Sequence, residues 1–259
     1  MKDYNYFLDI ALNAAKEASL VISSEIEKEL KVDYKGVTDL VTNADLKAEE
    51  IIMKKIISNF PDHRIITEES GEKVSDSEHV WIIDPIDGTT NLVHGYPFYA
   101  VSIALYLGGK ALVAVVYHIY LNDIYSAING GGAFCNGKPI FVSKTNNLSN
   151  SLLATGFPYD HGNIWAHNIN LFKIFTDLTQ GVRRAGSASL DLCHVARGWL
   201  DGYWEYALNS WDIAAGALIV KEAGGKVTNC NGSEFSVLEN EILSSNGYIH
   251  NKMIEHLNH

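Results

Sequence analysis

The sequence reads Trp-Ile-Ile-Asp-Pro-Ile-Asp-Gly-Thr-Thr-Asn from residue 81 to residue 91. The apolar run from His79 to Ile83 leads directly into Asp84, which predicts a buried strand followed by a turn. Asp84 and Asp87 could share a cation there, because Mg²⁺ prefers carboxylate and carbonyl oxygens. Glycine at position 88 would let the amides of residues 88–90 approach an anion at a helix start. Taken alone, a capped turn explains the same residues equally well.

Around this stretch, the spacing of apolar residues predicts alternating helices and strands. Helices are predicted from Phe7 to Ile22, Asn43 to about Phe60, Trp165 to Leu178, Ser189 to Gly198 and Trp211 to Ala223. Strands are predicted from Ala100 to Leu107, Ala111 to Tyr117, Ile124 to Ala127, Ile140 to Val142 and Asp201 to Tyr206. The first two flank Gly108-Gly109, which predicts a hairpin. This order predicts a layered α/β or α+β fold. We expect one catalytic unit over residues 1–259, with lobes of approximately 1–145 and 146–259, because residues 143–151 are polar.

Composition restricts the partners. The 20 basic and 31 acidic residues among 259 give a net charge of −11, which disfavours nucleic acid and anionic membranes. A site for anionic substrates in so acidic a chain is expected to bind metal ions. Three widely separated cysteines favour a reduced, cytoplasmic setting. Charged residues within the first predicted helix argue against a signal peptide or membrane span.

Other carboxylates have simple explanations when each is considered by itself. Glu68 fits a solvated loop, whereas Asp45 and Asp212 fit helix caps. The ten histidines show no HxH or HExxH spacing, which disfavours a zinc site. A serine hydrolase is disfavoured because no GxSxG motif is present.

In combination, four segments resemble the inositol monophosphatase family of metal-dependent phosphatases. They are Asp39-Leu-Val-Thr-Asn-Ala-Asp45, Glu68-Glu69-Ser70, the stretch at 81–91, and Trp211-Asp-Ile-Ala-Ala-Gly216 with Glu222-Ala-Gly-Gly225. The resemblance spans nearly the whole chain, and its two tryptophan-led motifs are long and specific. It implies the layered α/β/α/β/α sandwich shared with fructose-1,6-bisphosphatase, and a homodimer.

The resemblance also implies roles for single residues. Glu68, Asp84 and the Ile86 carbonyl would bind one Mg²⁺; Asp84, Asp87 and Asp212 would bind a second, with a weaker third ion near Glu68. Thr89, hydrogen-bonded to Asp45, would orient the attacking water beside Glu68. Substrate contacts are expected from Gly88, Thr89, Thr90, Gly186, Ser187, Ala188, Glu205 and Asp212. Lys35 loosely matches a lysine of the family's mobile metal loop.

The expected substrate follows from two similarities. Glu205 lies seven residues before Asp212, as does the glutamate of inositol phosphatases that contacts substrate hydroxyls. The wording Asp-Gly-Thr-Thr-Asn-Leu from residue 87 resembles inositol phosphatases more than nucleotide bisphosphate or histidinol phosphatases. The resemblance therefore implies Mg²⁺-dependent hydrolysis of a small phosphate monoester, foremost inositol-1-phosphate, by metal-activated water and without a phosphoenzyme. Lithium inhibition is expected as well.

Alternative functions remain open at this point. Residues 155–160 resemble bacterial or plastid-type relatives, some of which accept fructose-1,6-bisphosphate. Histidinol phosphate and nucleotide 3′-phosphates are further alternatives within the superfamily. A regulatory scaffold that binds another protein is an alternative of a different class.

Overall fold

The computed structural model of the protein describes residues 4–28, 30–36 and 40–258, so Asp39 of the first matching segment lies outside the described residues. The α-helices are α1 (Asn5–Lys28), α2 (Asn43–Asn59), α3 (Thr89–Val93), α4 (Asn163–Leu178), α5 (Ala188–Ala196), α6 (Ser210–Glu222) and α7 (His250–Leu257). Within these ranges, no helix combines the length and the apolar character needed to cross a membrane.

The strands form two main sheets and one short ribbon. The first-half strands are β1 (Val32–Tyr34), β2 (Leu40–Thr42), β3 (Arg64–Thr67), β4 (Gly71–Lys73), β5 (His79–Asp87), β6 (Ala100–Leu107), β7 (Lys110–His118), β8 (Asp123–Ile128), β9 (Gly132–Cys135) and β10 (Lys138–Pro139). The second-half strands are β11 (Leu152–Thr155), β12 (Gly181–Arg183), β13 (Gly202–Tyr206), β14 (Lys226–Thr228) and β15 (Glu241–Ser245).

The larger sheet has eight strands in the order β10-β9-β8-β7-β6-β5-β3-β4. Its neighbours are antiparallel except β3 and β5, which run parallel. The predicted hairpin of β6 and β7 is confirmed, and Gly108 and Gly109 supply the positive φ angles (53° and 78°) that its two-residue turn requires. The smaller sheet has five strands in the order β12-β11-β13-β15-β14.

The two faces of each strand bury different cores. Along β5, Trp81 and Ile83 pack with α1 and α2, whereas Ile82 packs with α5 and α6. In the smaller sheet, Tyr203 packs on α5 and α6, whereas Trp204 packs with α4 and α7. Because side chains of a strand alternate between faces, each sheet lies between two helical layers. The layers are therefore α/β/α/β/α, which confirms the predicted fold class.

The five helical predictions are confirmed to within two residues at their ends, except that α1 continues six residues beyond Ile22 to Lys28. Helix α2 starts with the predicted capping box, in which Asp45 Oδ2 accepts from the Thr42 amide at 2.8 Å. Helix α6 ends before Gly224, whose φ of 87° suits a chain that leaves a helix. The proposed lobe boundary near residue 145 stays a prediction, since one hydrophobic cluster contains residues from both halves.

Two strand predictions are wrong. Strand β5 does not end at Ile83 but continues to Asp87, because β6 pairs with Asp84 and again with Asp87 across a bulge. The predicted strand from Ile140 to Val142 is absent, and β8 pairs with β9 (Gly132–Cys135). The glycine turn at 130–132 reverses the chain at once, and a second turn at Asn136 and Gly137 leads into β10 before Ile140 is reached.

We predict that Gly216→Ala destabilises the protein although alanine favours helices. A Cβ at position 216 of α6 would lie 2.5 Å from Cδ1 of Leu192 on α5. The resulting overpacking should lower the free energy of unfolding by about 1–3 kcal/mol, against the gain of about 1 kcal/mol expected at an open helix position. Thermal unfolding of Gly216→Ala, alone and combined with Leu192→Ala, measures this. A higher melting temperature for the single variant would contradict the packing of α5 against α6.

Candidate metal and phosphate site

A cavity of about 320 Å³ opens where the two sheets and helices α3, α5 and α6 meet. Its wall contains the following residues: Glu68, Asp84, Ile86, Asp87, Gly88, Thr89, Thr90, Asn91, Gly156, Phe157, Pro158, Tyr159, Arg184, Gly186, Ser187, Ala188, Asp191, Glu205 and Asp212. All predicted metal and substrate residues are in this wall. Their assigned roles stay predictions at this point.

Three aspartates converge on one side of the cavity. Asp84, Asp87 and Asp212 each offer a carboxylate oxygen within 4.8 Å of the others. Residues three apart on a regular strand point to opposite faces, so Asp84 and Asp87 would be separated by the sheet. The bulge between them changes the alternation and turns both carboxylates toward the first turn of α6, where Asp212 lies. The irregularity in β5 thus assembles the cluster.

Hydrogen bonds fix the orientation of each aspartate. The amide of Ile86 donates to Asp84 Oδ1 at 2.9 Å. Asp87 Oδ2 accepts from the Ser187 hydroxyl at 2.6 Å and from the Ser189 amide at 2.7 Å. Ser187 and Ser189 belong to the start of α5, so the second half of the chain orients a carboxylate of the first.

Asp212 combines two functions that the sequence suggested as alternatives. Its Oδ2 accepts from the Asn209 amide at 2.6 Å and closes the capping box of α6. The same carboxylate also belongs to the aspartate cluster. The cap therefore holds the side chain in the position where it can coordinate a cation.

Glu68 joins the cluster because it follows β3, the parallel neighbour of β5. Thr67 pairs with Ile83 in register, which places Glu68 beside Asp84. The ammonium of Lys35 lies 2.8 Å from Glu68 Oε1 and 2.6 Å from Glu69 Oε1. Burial acts to lower the pKa of Lys35, but the charges of Glu68 and Glu69 outweigh it and raise that pKa above its ordinary value. Lys35 therefore competes with any cation for Glu68.

The carboxylates of the cluster lie in an environment that disfavours their charge. Burial raises the pKa of Asp84 well above its ordinary range, and the charges of Glu68, Asp87 and Asp212 raise it further. Burial likewise raises the pKa values of Asp87 and Asp212. A divalent cation would remove this penalty by pairing with the ionised oxygens. An all-oxygen donor set of this kind fits Mg²⁺ or Mn²⁺.

Thr89 connects the cavity wall to Asp45, which lies behind it. The Thr89 hydroxyl lies 2.7 Å from Asp45 Oδ1 and 3.0 Å from the carbonyl oxygen of Ile86. Asp45 is fully buried, and burial raises its pKa while hydrogen bonds from Thr42 and Thr89 oppose the shift. The structure thus places the predicted Asp45 and Thr89 pair in contact.

Gly88 is required by its surroundings as well as by its backbone. It has φ of 97°, and a Cβ there would lie 2.9 Å from the carbonyl oxygen of Phe98. Asn91 Nδ2 donates to Phe98 O at 2.7 Å and to Ala185 O at 2.9 Å, which ties this turn to the segment before α5.

The Thr90 hydroxyl is buried without a hydrogen-bond partner in the described part of the chain. A ligand with acceptor oxygens would satisfy it.

Glu205 lies at another part of the cavity wall, on β13. Its side chain occupies the space that a Cβ of residue 156 would need, since that atom would lie 2.1 Å from Glu205 Oε1. Burial raises the pKa of Glu205 to about 7, while the Tyr203 hydroxyl and Arg184 oppose the shift. The carboxyl group therefore lies at a largely desolvated position, and its oxygens can accept hydrogen bonds from a ligand.

Sequence reasoning missed several residues that shape this site. Glu49 accepts hydrogen bonds from the Thr67 hydroxyl at 2.5 Å and the Glu69 amide at 2.9 Å, and so holds the loop that carries Glu68. Its position four residues after Asp45, on the buried face of α2, was a signal that could have identified it. Asn91 was quoted in the sequence motif but given no role, and no signal marked Arg184 or Asp191.

We predict that Asp84→Asn stabilises the cation-free protein at pH 8. Because the folded state raises the pKa of Asp84, it binds a proton more tightly than the unfolded state, so this contribution to stability is lost as pH rises above the ordinary value. Asparagine imitates the protonated form at every pH. In EDTA, the melting temperature of Asp84→Asn should exceed that of the wild type by about 2–4 °C for each kcal/mol added to the free energy of unfolding. The difference should shrink toward pH 5.

Added Mg²⁺ should stabilise the wild type at pH 8 but not Asp84→Asn. Asp177→Asn, an exposed change on α4, is the matched control and should behave as the wild type. Equal Mg²⁺ stabilisation of the wild type and Asp84→Asn would show that Asp84 holds no cation.

Comparisons with known proteins identify the family of this chain. The sequence model of the inositol monophosphatase family matches residues 3–259. The chain is 46% identical over 259 residues to the chloroplastic phosphatase IMPL1 of Arabidopsis thaliana, covering 97% of this chain and 70% of that protein. It is 44% identical over 257 residues to the inositol-1-monophosphatase of a Synechocystis species, with 98% and 90% covered. The solved structure of the extragenic suppressor protein suhB from Bartonella henselae superposes with a TM-score of 0.93 at 37% identity, covering 97% of this chain and 98% of that one. The chain belongs to the inositol monophosphatase family.

Proposed function

We propose that this protein hydrolyses a phosphate monoester of a small polyol, foremost inositol-1-phosphate, with Mg²⁺ as cofactor. The observation that carries the proposal is the wall of one cavity, which contains the aspartate cluster, the Gly88 turn and Glu205. These three parts suit the cation, the phosphate and the polyol of such a substrate. The similarity to a Synechocystis inositol-1-monophosphatase supports the same substrate class.

Different residues of the chain would bind the cations and orient the attacking water. Glu68, Asp84, Asp87, Asp212 and the Ile86 carbonyl would hold two divalent cations, and a third ion near Glu68 is an expectation from the family. Bound there, the cations would neutralise phosphate oxygens and activate the attacking water. Thr89, held by Asp45 at 2.7 Å, would orient that water beside Glu68.

Substrate recognition would come from the opposite walls. The backbone at Gly88 and Thr89 and the unpartnered Thr90 hydroxyl would bind phosphate oxygens. Gly186 and Ala188 would form the wall beside the leaving group, while Glu205 would accept hydrogen bonds from its hydroxyls. Ser187 donates its hydroxyl to Asp87, so its main contribution would be to position that ligand.

Arg184 favours a second candidate substrate. It is the basic side chain of the described cavity wall, and a guanidinium suits a second phosphate. Fructose-1,6-bisphosphate carries such a group, so we retain it as the second substrate to be tested. A homodimer and a cytoplasmic setting remain expectations from the family and the composition.

We predict that phosphate release from inositol-1-phosphate requires Mg²⁺ and Asp84. Inositol-1-phosphate, fructose-1,6-bisphosphate, histidinol phosphate and adenosine 3′,5′-bisphosphate should be assayed with Mg²⁺ and with EDTA. Asp84→Asn should lower kcat/KM by more than about 100-fold, because a charge that stabilises the reaction is lost. Asp177→Asn should retain wild-type rates.

Turnover by Asp84→Asn at the wild-type rate, or turnover that EDTA leaves unchanged, would contradict the proposal. A wild type that releases no phosphate from any of the four compounds would favour the regulatory alternative, in which the fold binds another protein. A pull-down with wild type and Asp84→Asn would then test that role separately from activity.

A further inference from the structure

Asp191 is the buried acid of the cavity wall that the proposed reaction does not use. It lies in the first turn of α5, three residues after Ala188, so both residues face the cavity from one side of the helix. Only 2% of Asp191 is exposed. Among the described residues, its carboxylate makes no hydrogen bond or ion pair, whereas Asp87 and Asp212 accept hydrogen bonds from two amides and a hydroxyl. A buried carboxylate without a partner is costly unless a ligand supplies donors.

The surroundings of Asp191 define which ligand it suits. Its charge interacts with those of Glu205 and Asp87, and Arg184 opposes them. Both Asp191 and Glu205 lie in the cavity wall, and the ion pairs of Lys35 in the described part of the chain are with Glu68 and Glu69. The two carboxylates offset the positive charge of Arg184 and can accept hydrogen bonds from neutral hydroxyls, so this region favours a polyol over a second phosphate.

We propose that Asp191 accepts a hydrogen bond from a hydroxyl of the leaving group and, with Glu205, selects polyhydroxylated substrates. The proposal rests on the proposed phosphatase function and adds a specificity residue to it. Glu205 receives a hydrogen bond from the Tyr203 hydroxyl, so part of its accepting capacity is already used. Asp191 has no such partner and offers its full capacity to the substrate.

A structural explanation of Asp191 would predict different behaviour. An acid in the first turn can stabilise a helix through the helix dipole. The Ser189 amide of this turn, however, donates to Asp87 at 2.7 Å and leaves Asp191 without a capping bond. If Asp191 only stabilised α5, its loss would disturb Ser187 and Ser189, and through Asp87 it would slow all substrates alike.

The test compares inositol-1-phosphate with phenyl phosphate, which has the phosphate and a ring but no ring hydroxyls. Steady-state kinetics with Mg²⁺ should be measured for the wild type, Asp191→Asn and Asp191→Ala. For inositol-1-phosphate, we expect kcat/KM to fall about ten-fold in Asp191→Asn and further in Asp191→Ala. For phenyl phosphate, both variants should stay within about two-fold of the wild type. Asp177→Asn controls for removal of a distant acid.

The outcomes separate this inference from the proposed function. If the variants lose kcat/KM equally on both substrates, or on neither, the role of Asp191 is overturned. The proposed function is still upheld in that case if the wild type prefers inositol-1-phosphate. A wild type without that preference would overturn both. The unfolding curves of the variants must match that of the wild type. If Asp191→Ala is unstable, the test rests on the isosteric Asp191→Asn alone. An unchanged ratio of kcat/KM between the two substrates in Asp191→Asn would then overturn the inference.

Discussion

Mutual repulsion among buried carboxylates is the constraint on which this structure depends. Asp84, Asp87 and Asp212 lie with oxygens within 4.8 Å of one another, where burial and like charge both oppose ionisation. Such a cluster is stable in a folded protein only if the surrounding structure holds it in place and a ligand offsets the electrostatic cost of burying like charges. The bulge in β5, the cap of α6 and the first turn of α5 supply that restraint. A bound cation would supply the compensation, so we expect stability, metal binding and activity to change together.

Both halves of the chain contribute residues to the site. The first half provides Glu68, Asp84 and Asp87, whereas α6 of the second half provides Asp212. The start of α5 orients Asp87 through Ser187 and Ser189, and Asn91 binds the backbone before α5. Neither half contains a complete donor set. A hydrophobic core formed by residues of both halves holds these side chains in position relative to one another.

The sequence predicted much of this arrangement because long motifs carried it. The capping box of Thr42 and Asp45, the hairpin of β6 and β7 and the main helices follow from local patterns. The extent of β5 did not, because Pro85 and Asp87 resemble turn residues and only pairing with β6 keeps them in the strand. Glu49 and Asp191 were missed for a similar reason, since their importance depends on which distant groups they face. Asp212, which considered by itself fits a helix cap, both caps α6 and belongs to the aspartate cluster.

Anomalous diffraction from crystals soaked with Mn²⁺ would show whether the aspartate cluster binds divalent cations. Mn²⁺ shares the oxygen-ligand preference of Mg²⁺ and gives a strong anomalous signal. We expect an anomalous peak bound by Asp84, Asp87 and Asp212, with Glu68 released from Lys35 to reach a neighbouring ion. Peaks elsewhere, or a cluster that excess Mn²⁺ leaves unchanged, would contradict it.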